Sequence, residues 1–339
     1  LHGDLALLAE NQYLKLKSKQ LSVCGTGLFM EGINQNPVYY DLAFEMLTAD
    51  AAMDITVWLN QYAERRYNTS ALTAKDAWQL LLHTAYAPGT NGVESSSVIC
   101  ARPAVRVKKS GPNNGFVTSY GNKRLIKAYQ LLRQTTSTTD GYAYDLTDIM
   151  RQILSNYALD LYTEVSQSFL NREEETFNRL SKQFLTLLDD IDDLLSCRPE
   201  FSFEKWIDDA CRFGNTDTEK RLYDYNATAL VTIWGPDENP EIFDYSWREW
   251  SGLISQYYKT RWAKFFAMLS DCLNKDIEYV EEGLPLVYGR EAWRANAFYN
   301  ELADWEVSWI HNKKVFNKKD LCLNEVLEYL ELTYLNKLC

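Results

Sequence analysis

Glycine and proline are scarce in this sequence of 339 residues, which contains only 15 Gly and 8 Pro. Both residues interrupt helices and concentrate in turns, so their scarcity argues against a loop-rich all-β fold and favours long helices. The seven cysteines are scattered and form no Cys-x-x-Cys pair, so neither a structural zinc site nor a disulfide scaffold is indicated. No apolar run reaches the roughly 18 residues of a membrane-spanning helix, and we expect no membrane partner.

Positive charge is also in deficit. The 35 Lys and Arg residues face 47 Asp and Glu residues, which gives a formal net charge of −12. Such a chain repels the phosphate backbones of nucleic acids unless a local basic patch outweighs its net negative charge. The basic clusters at 106–109 and 313–319 are short and match no nucleic-acid-binding motif, so no nucleic-acid partner is expected. The hydrophobic content of 46% is typical of a globular chain with about two domains or one large one.

The apolar pattern predicts one strand near the start of the chain. Residues 21–29 form a short apolar run punctuated by glycine, which is consistent with a buried strand. A helix is predicted before it, over 5–20. Another is predicted after it over 38–47, with Asn36 as its cap and Pro37 at its first position.

From about residue 52 onward, the spacing of apolar residues predicts almost only helices. The strongest pattern, over 145–195, predicts two long antiparallel helices joined near Asn171. Thr73 and Asp76 suggest a capping box, and a loop at 88–115 contains one extended candidate at 98–107. Further helices are predicted at 203–213, 217–232, 247–273, 291–310 and 321–338. The fold class is therefore mainly α: a strand–loop–helix piece followed by a large helical domain.

One candidate for chemistry is the aspartate-rich run Asp189-Asp190-Ile191-Asp192-Asp193. Such segments hold Mg²⁺ for diphosphate substrates in all-helical prenyl synthases, but those enzymes need a second carboxylate cluster, which the sequence does not present. A solvated helix face is the simpler interpretation. The three histidines are isolated from one another, and we predict no metal and no cofactor.

Two other stretches carry better candidates. Glu31 follows the predicted strand on a turn with Gly32, and catalytic carboxylates lie at the carboxyl ends of strands in barrel enzymes. An exposed loop glutamate is the alternative. Residues 233–245 place Trp234 and Tyr245 beside carboxylates, which suits a carbohydrate site because sugar C–H faces stack on aromatic rings. A helix corner with core aromatics explains that pattern equally well.

At these two stretches the sequence resembles the α-N-acetylglucosaminidases, glycoside hydrolase family 89. The first segment resembles the family's Val-Gly-Thr-Gly…Pro-Glu-Gly-Ile-x-Gln-Asn pattern, with Met30 in place of Pro and Cys24 in place of Val. Further matches follow in family order: Arg65-Arg66-Tyr67, Arg102-Pro103, Tyr144-Asp145-Leu146, Asp148, Arg151-Gln152, Trp234-Gly235-Pro236, Asp244-Tyr245 and Tyr257-Tyr258-Lys259-Thr260-Arg261-Trp262.

The resemblance implies an N-terminal α/β domain, a (β/α)8-type barrel and a C-terminal all-helical domain. In that arrangement residues 1–51 are the terminal strand and helix of the truncated barrel, and 52–339 form the all-α domain. The family removes terminal α-linked N-acetylglucosamine from glycans, such as heparan sulfate or mucin-type chains, with retention of configuration. Glu31 would then be the nucleophile, and the acid/base glutamate would lie in barrel sequence outside this chain. Ile33, Trp234 and Tyr245 would contact the sugar.

The implied partners are a glycan with terminal α-linked N-acetylglucosamine and the remaining barrel part of the same enzyme. The start Leu1-His2-Gly3-Asp4 is neither a signal peptide nor a natural start, so we expect a piece of a longer protein that is inactive alone. Family members are exported in bacteria, to the periplasm or outside the cell, or lysosomal in animals. Two alternatives remain: a helical carbohydrate-binding or scaffold module without catalysis, and an aspartate-rich all-α enzyme of prenyl-synthase type.

Overall fold

The computed structural model describes residues 1–19, 22–25, 27–29, 36–87, 96–111, 115–116, 120–235, 243–280, 297–313 and 320–338. The chain divides into two compact units. The first comprises Leu1–Ser95, Val117–Ile153 and Glu331–Cys339, and the second comprises Ser96–Phe116 and Leu154–Leu330. The domain boundary expected after residue 51 falls inside the first unit and stays a prediction.

Helices dominate both units, and the mainly α fold class is confirmed. Within the described ranges there is no strand, and β pairing is limited to the isolated bridges Lys109–Gly115 and Ser202–Ser251. None of the described helices is long and apolar enough to cross a membrane. The helices are α1 (Leu5–Ala9), α2 (Gln12–Lys19), α3 (Pro37–Thr48), α4 (Ile55–Tyr67), α5 (Leu72–Leu82), α6 (Asn122–Arg133), α7 (Asp140–Leu170), α8 (Glu174–Ser196), α9 (Phe203–Cys211), α10 (Asp217–Leu230), α11 (Lys259–Asn274), α12 (Ala297–Asn312), α13 (Leu323–Leu330) and α14 (Asn336–Leu338). A 3-10 turn spans Pro199–Phe201, and π-helical turns span Ile254–Tyr258 and Glu331–Leu335.

The two long helices of the 145–195 region are confirmed. Helix α7 ends at Leu170 and α8 begins at Glu174, so the connection lies at 171–173, where it was expected. The predicted stripe of α8 is fully buried: Phe177, Leu180, Phe184, Leu187, Ile191 and Leu194. Helix α11 packs against this stripe, with the Phe184 ring 5.1 Å from Trp262 and 5.7 Å from Phe266 between centroids. The three-and-four spacing therefore identified the face that the second unit buries.

The start of the chain differs from expectation. The described residues of the predicted strand, 22–25 and 27–29, are not in a strand, and Phe29 is 98% exposed. A buried parallel strand is stable only between neighbouring strands, and the described residues supply none. The helix expected over 5–20 is split, because Asn11 adopts a left-handed φ of 54° and its side chain accepts the Leu14 N–H at 2.9 Å. That contact caps a new helix.

Three further expectations were wrong in detail. Helix α5 begins at Leu72 without a capping box, and the Thr73 hydroxyl instead lies 2.8 Å from the hydroxyl of Thr135. A complete capping box occurs at α10, between Thr216 and Glu219. The extended piece at 98–107 consists of turns and irregular backbone, and the helical segment expected from 247 begins only near 253.

The first unit contains a largely buried ion pair between α4 and α7. The Arg66 Nη2 group donates to Asp145 Oδ1 at 2.8 Å, and the Tyr67 hydroxyl donates to Asp145 Oδ2 at 2.6 Å. Trp78 Nε1 of α5 in turn donates to the Tyr67 hydroxyl at 2.9 Å. Burial raises the pKa of the Asp145 carboxyl, and the Arg66 guanidinium opposes that rise. Three helices are thereby joined by one connected set of hydrogen bonds.

We expect Asp145→Asn to lower the free energy of unfolding by about 2 to 4 kcal/mol, because it leaves the largely buried Arg66 guanidinium without its carboxylate. Urea denaturation of the purified chain measures this difference. The matched control is Glu10→Gln, which removes an exposed pair with Lys15 and should change the unfolding free energy by about 0.5 kcal/mol or less. Equal effects of the two substitutions would contradict the assignment.

Candidate functional site

Two of the four predicted site residues lie within the described part of the chain. Glu31 and Ile33 lie outside the described residues. Trp234 and Tyr245 belong to the second unit and are both partly buried. Their ring centroids are 4.6 Å apart with an interplanar angle of 42°. The structure therefore brings together two aromatic rings that are eleven positions apart in the sequence, as an aromatic surface for a ligand requires.

The backbone at both ends of this segment is strained. Trp234 follows α10 with φ of 44°, and its N–H donates to the Ala229 carbonyl at 2.7 Å. Asp244, directly before Tyr245, has φ of 59°. A left-handed conformation is rare for a bulky residue such as tryptophan and persists only where surrounding contacts impose it. Such outliers cluster at binding and catalytic sites, so the strain is a second feature that favours a functional role for this segment.

Asp244 is held by three independent contacts. Its N–H donates to the Thr232 carbonyl at 2.8 Å, and its own carbonyl accepts the Trp247 N–H at 3.3 Å. Both oxygens of its carboxylate accept from Arg261 Nη1 at 2.9 Å. The Asp244 residue is only 1% exposed, so these contacts have no competition from water. The backbone that leads into Tyr245 is therefore fixed from both sides.

Arg261 connects Asp244 to a buried group of four charged side chains, which we call the ionic quartet: Arg102, Asp244, Arg261 and Glu306. Arg261 Nη1 lies 3.1 Å from Glu306 Oε1, and Arg102 Nη2 donates to Glu306 Oε2 at 2.8 Å. Two cations and two carboxylates make the quartet neutral, as burial of charge requires. Burial raises the pKa values of the Asp244 and Glu306 carboxyls, and the two guanidinium groups oppose that rise.

The family-like Tyr-Tyr-x-x-Arg-Trp motif contains Arg261 of this quartet and the aromatic rings next to it. The Arg261 guanidinium lies 4.9 Å from the ring centroid of Tyr257 and 5.1 Å from that of Tyr258. Arg261 Nη2 donates to the Cys100 carbonyl at 2.7 Å, and Trp262 Nε1 donates to the Ile99 carbonyl at 3.0 Å. The motif therefore surrounds one guanidinium with aromatic faces and acceptors.

Sequence reasoning did not assign a role to any member of the quartet. In the sequence, Arg102, Asp244 and Arg261 stand out only as motif matches, and Glu306 belongs to no motif. A signal existed for Glu306, because on α12 it occupies the same stripe as buried Leu302, Ala303, Trp309 and Ile310. A carboxylate at a core position of an amphipathic helix indicates a buried partner.

The aspartate-rich run has internal partners. Asp189 accepts from Lys259 Nζ at 2.6 and 2.5 Å. Asp192 is buried, and its Oδ1 accepts the backbone N–H groups of Gly252 and Ser255 at 2.7 and 3.1 Å. Within the described ranges, no three His, Cys, Asp or Glu side chains are grouped so that they could hold a metal ion. The run thus anchors the start of the helical segment that carries Arg261, which gives the prenyl-synthase alternative no support.

A cavity of about 530 Å³ also lies in the second unit, between α8, α9 and the π-turn Ile254–Tyr258. None of the described residues that line it is aromatic. They are mostly polar or charged: Asp192, Ser196, Cys197, Pro199, Ser202, Glu204, Lys205, Asp208, Asp209, Arg212, Ser251, Gly252, Ser255 and Gln256. Without a ring to stack on a sugar face, this cavity is a poorer carbohydrate site than the Trp234–Tyr245 pair.

Comparison with known proteins confirms the family resemblance. Human alpha-N-acetylglucosaminidase is 28% identical over 265 residues, which is 76% of this chain and 34% of the human protein. A Clostridium perfringens family 89 glycoside hydrolase, solved in complex with its substrate GlcNAc-alpha-1,4-galactose, superposes with a TM-score of 0.83 at 26% identity. The superposition covers 100% of this chain and 38% of that one.

A second structure of a Clostridium perfringens family 89 glycoside hydrolase, in complex with PUGNAc, gives a TM-score of 0.81 at 27% identity. It covers 98% of this chain and 37% of that one, so the chain spans little more than a third of the length of these relatives. The family described as alpha-N-acetylglucosaminidase (NAGLU) C-terminal domain matches residues 58–326. The chain therefore belongs to the alpha-N-acetylglucosaminidase C-terminal domain family.

Proposed function

We propose that this chain is the C-terminal part of a retaining glycoside hydrolase that removes terminal α-linked N-acetylglucosamine from glycans. The observation that carries the proposal is the superposition of the whole chain on a clostridial enzyme bound to GlcNAc-alpha-1,4-galactose. Because the chain spans 38% of that enzyme, the activity would belong to a longer protein that contains this chain. An exported or lysosomal location is part of the same proposal.

In the proposed reaction, Glu31 is the nucleophile. Its carboxylate attacks the anomeric carbon, the glycosidic C–O bond breaks, and a second glutamate protonates the leaving oxygen. Water then attacks the glycosyl-enzyme ester, the second glutamate takes the water proton, and Glu31 is released as a carboxylate. The two carboxyl groups must lie about 5 to 5.5 Å apart for this double displacement. The substrate complex of the clostridial enzyme is a variant with two glutamates changed to glutamine, which supports a two-glutamate reaction.

Trp234 and Tyr245 are proposed to contact the sugar. Their rings lie close together and only partly buried, and the backbone is left-handed at Trp234 and at Asp244, directly before Tyr245. An aromatic face can cover the apolar side of a pyranose ring, while the tyrosine hydroxyl can bond a sugar hydroxyl or the acetamido group. Ile33 is proposed to add apolar contact in the same role.

For the nucleophile, we expect Glu31→Gln in the longer enzyme to lower kcat by about 10,000-fold, because no covalent intermediate can form. Glu31→Ala with azide and an aryl α-N-acetylglucosaminide should give the β-configured glycosyl azide, identified by NMR. The control Glu10→Gln, at an exposed carboxylate, should retain activity. Retained activity of Glu31→Gln would refute the assignment.

For the aromatic pair, Trp234→Ala and Tyr245→Ala should each lower kcat/KM by about tenfold through loss of stacking. The effect should appear mainly in KM, because these rings bind the sugar rather than react with it. Steady-state kinetics of the longer enzyme measure both constants. Tyr223→Ala is the matched control, since Tyr223 is an exposed tyrosine of the same unit. Unchanged KM in both site variants would remove the pair from the substrate contact.

For the isolated chain, we expect no hydrolysis of p-nitrophenyl α-N-acetylglucosaminide, because the proposed reaction needs an acid/base carboxylate that this chain does not supply. Release of p-nitrophenol by the purified chain, followed by absorbance, tests this directly. Turnover above the uncatalysed rate would mean that both carboxylates lie within these 339 residues.

A further inference from the structure

We propose that the buried ion pair between Asp244 and Arg261 positions the ring of Tyr245 for the sugar. Gly111, which lacks a Cβ atom, leaves the space that the left-handed backbone of Asp244 needs. The inference rests on the proposed contact between Tyr245 and the substrate and adds the residues that hold that contact in place. Asp244 and Arg261 are 1% and 0% exposed, respectively. Buried and bonded to each other, they act through Tyr245 and are positioning residues.

Asp244 and Tyr245 are neighbours in the chain, so the φ and ψ angles of Asp244 set the direction in which the Tyr245 side chain leaves the backbone. Asp244 sits at φ of 59°, which costs conformational energy that its contacts must offset. Those contacts are the Thr232 carbonyl and the Arg261 guanidinium. Loss of the guanidinium contact would allow Asp244 to relax toward ordinary backbone angles and turn Tyr245 away.

Arg261 cannot follow such a movement of Asp244. Its guanidinium also donates to the Cys100 carbonyl at 2.7 Å and lies 3.1 Å from Glu306 Oε1. Arg102 holds the other oxygen of Glu306, and the ring of Phe243 lies 4.2 Å from the Arg102 guanidinium. Arg261 is therefore a fixed reference point, and the place of Asp244 is defined relative to it.

Gly111 approaches the backbone of Asp244 closely. This glycine has φ of 59°, and a Cβ atom placed on it would lie 2.4 Å from the Asp244 carbonyl oxygen. It would also lie 3.4 Å from Trp247 Cδ1. The contacted atom is backbone, so any side chain at this position must push Asp244 out of its left-handed conformation. Only glycine at 111 is compatible with the observed backbone at 244.

A double-mutant cycle in the longer enzyme tests the proposal. Gly111→Ala and Asp244→Asn are each made alone and together with Tyr245→Ala, and kcat and KM are measured for the sugar substrate. Alone, each should raise KM about tenfold with kcat changed about twofold or less. In the Tyr245→Ala background neither should raise KM further, because the ring that they position is absent. If Gly111 and Asp244 only stabilised the fold, their substitutions would raise KM in the Tyr245→Ala background as well.

Gly115→Ala is the matched control, because it changes a glycine of the same segment whose Cβ would meet only the Lys108 carbonyl at an ordinary 3.5 Å. It should leave KM unchanged. Thermal unfolding of every variant checks the fold, and Gly111→Ala carries the test if Asp244→Asn does not fold. If neither folds, the proposal is wrong, because the pair is then needed for the whole unit.

The remaining outcomes distinguish the substrate contact of Tyr245 from the positioning role of Asp244 and Gly111. If Tyr245→Ala raises KM while Gly111→Ala and Asp244→Asn do not, the positioning proposal fails and the substrate contact stands. Equal increases in KM with and without the Tyr245 ring also overturn the positioning proposal. If Tyr245→Ala leaves KM unchanged, the substrate contact itself is wrong, and the positioning role falls with it. The Glu31 experiments report on catalysis independently of all these results.

Discussion

The second unit depends on one fully buried guanidinium. Arg261 has no exposed surface, and its charge is balanced by Asp244 and Glu306, which come from segments 17 and 45 residues away in the sequence. Removing a charge from water costs several kcal/mol, and only good geometry with satisfied hydrogen bonds recovers that cost. The segments that carry Cys100, Asp244 and Glu306 must therefore meet around this side chain, and the tyrosine rings of its own π-turn enclose it.

The first unit reaches a similar solution with different residues. The Asp145 carboxylate accepts hydrogen bonds from Arg66 and from the Tyr67 hydroxyl, and that hydroxyl accepts one from Trp78. A buried carboxylate therefore joins three helices that purely apolar contacts would leave free to slide. In both units the family-like motifs contain these buried polar groups. Arg66-Tyr67, Asp145 and Tyr257-Tyr258-x-x-Arg261-Trp262 are explained by packing and charge balance, without any contact to a substrate.

Against this background, Trp234 and Tyr245 are different. They are aromatic residues that the fold leaves partly exposed, on backbone that is strained at Trp234 and immediately before Tyr245. A core aromatic would be buried and would not need a left-handed neighbour. At Asp244 the cost of that strain is offset by the contact with Arg261 of the ionic quartet, and Gly111 leaves the space that the Asp244 carbonyl occupies. If Tyr245 contacts the sugar as proposed, the quartet acts on that contact through Arg261 and Asp244.

Local patterns determined much of this architecture. The three-and-four spacing of α8, the turn near Asn171 and the Asn36-Pro37 start of α3 are properties of consecutive residues, so the sequence alone predicts them. Motif order was also enough to identify the family. In the described residues 22–25 and 27–29 the predicted strand is absent, because strand formation depends on neighbours that local pattern does not reveal. The ionic quartet could not be predicted either, since its four members are far apart in the chain and nothing in their sequence neighbourhoods specifies the pairing. Only the tertiary structure decided that Asp244 would be buried against Arg261 and that the rings of Trp234 and Tyr245 would meet, because burial and charge pairing are set by contacts between distant segments.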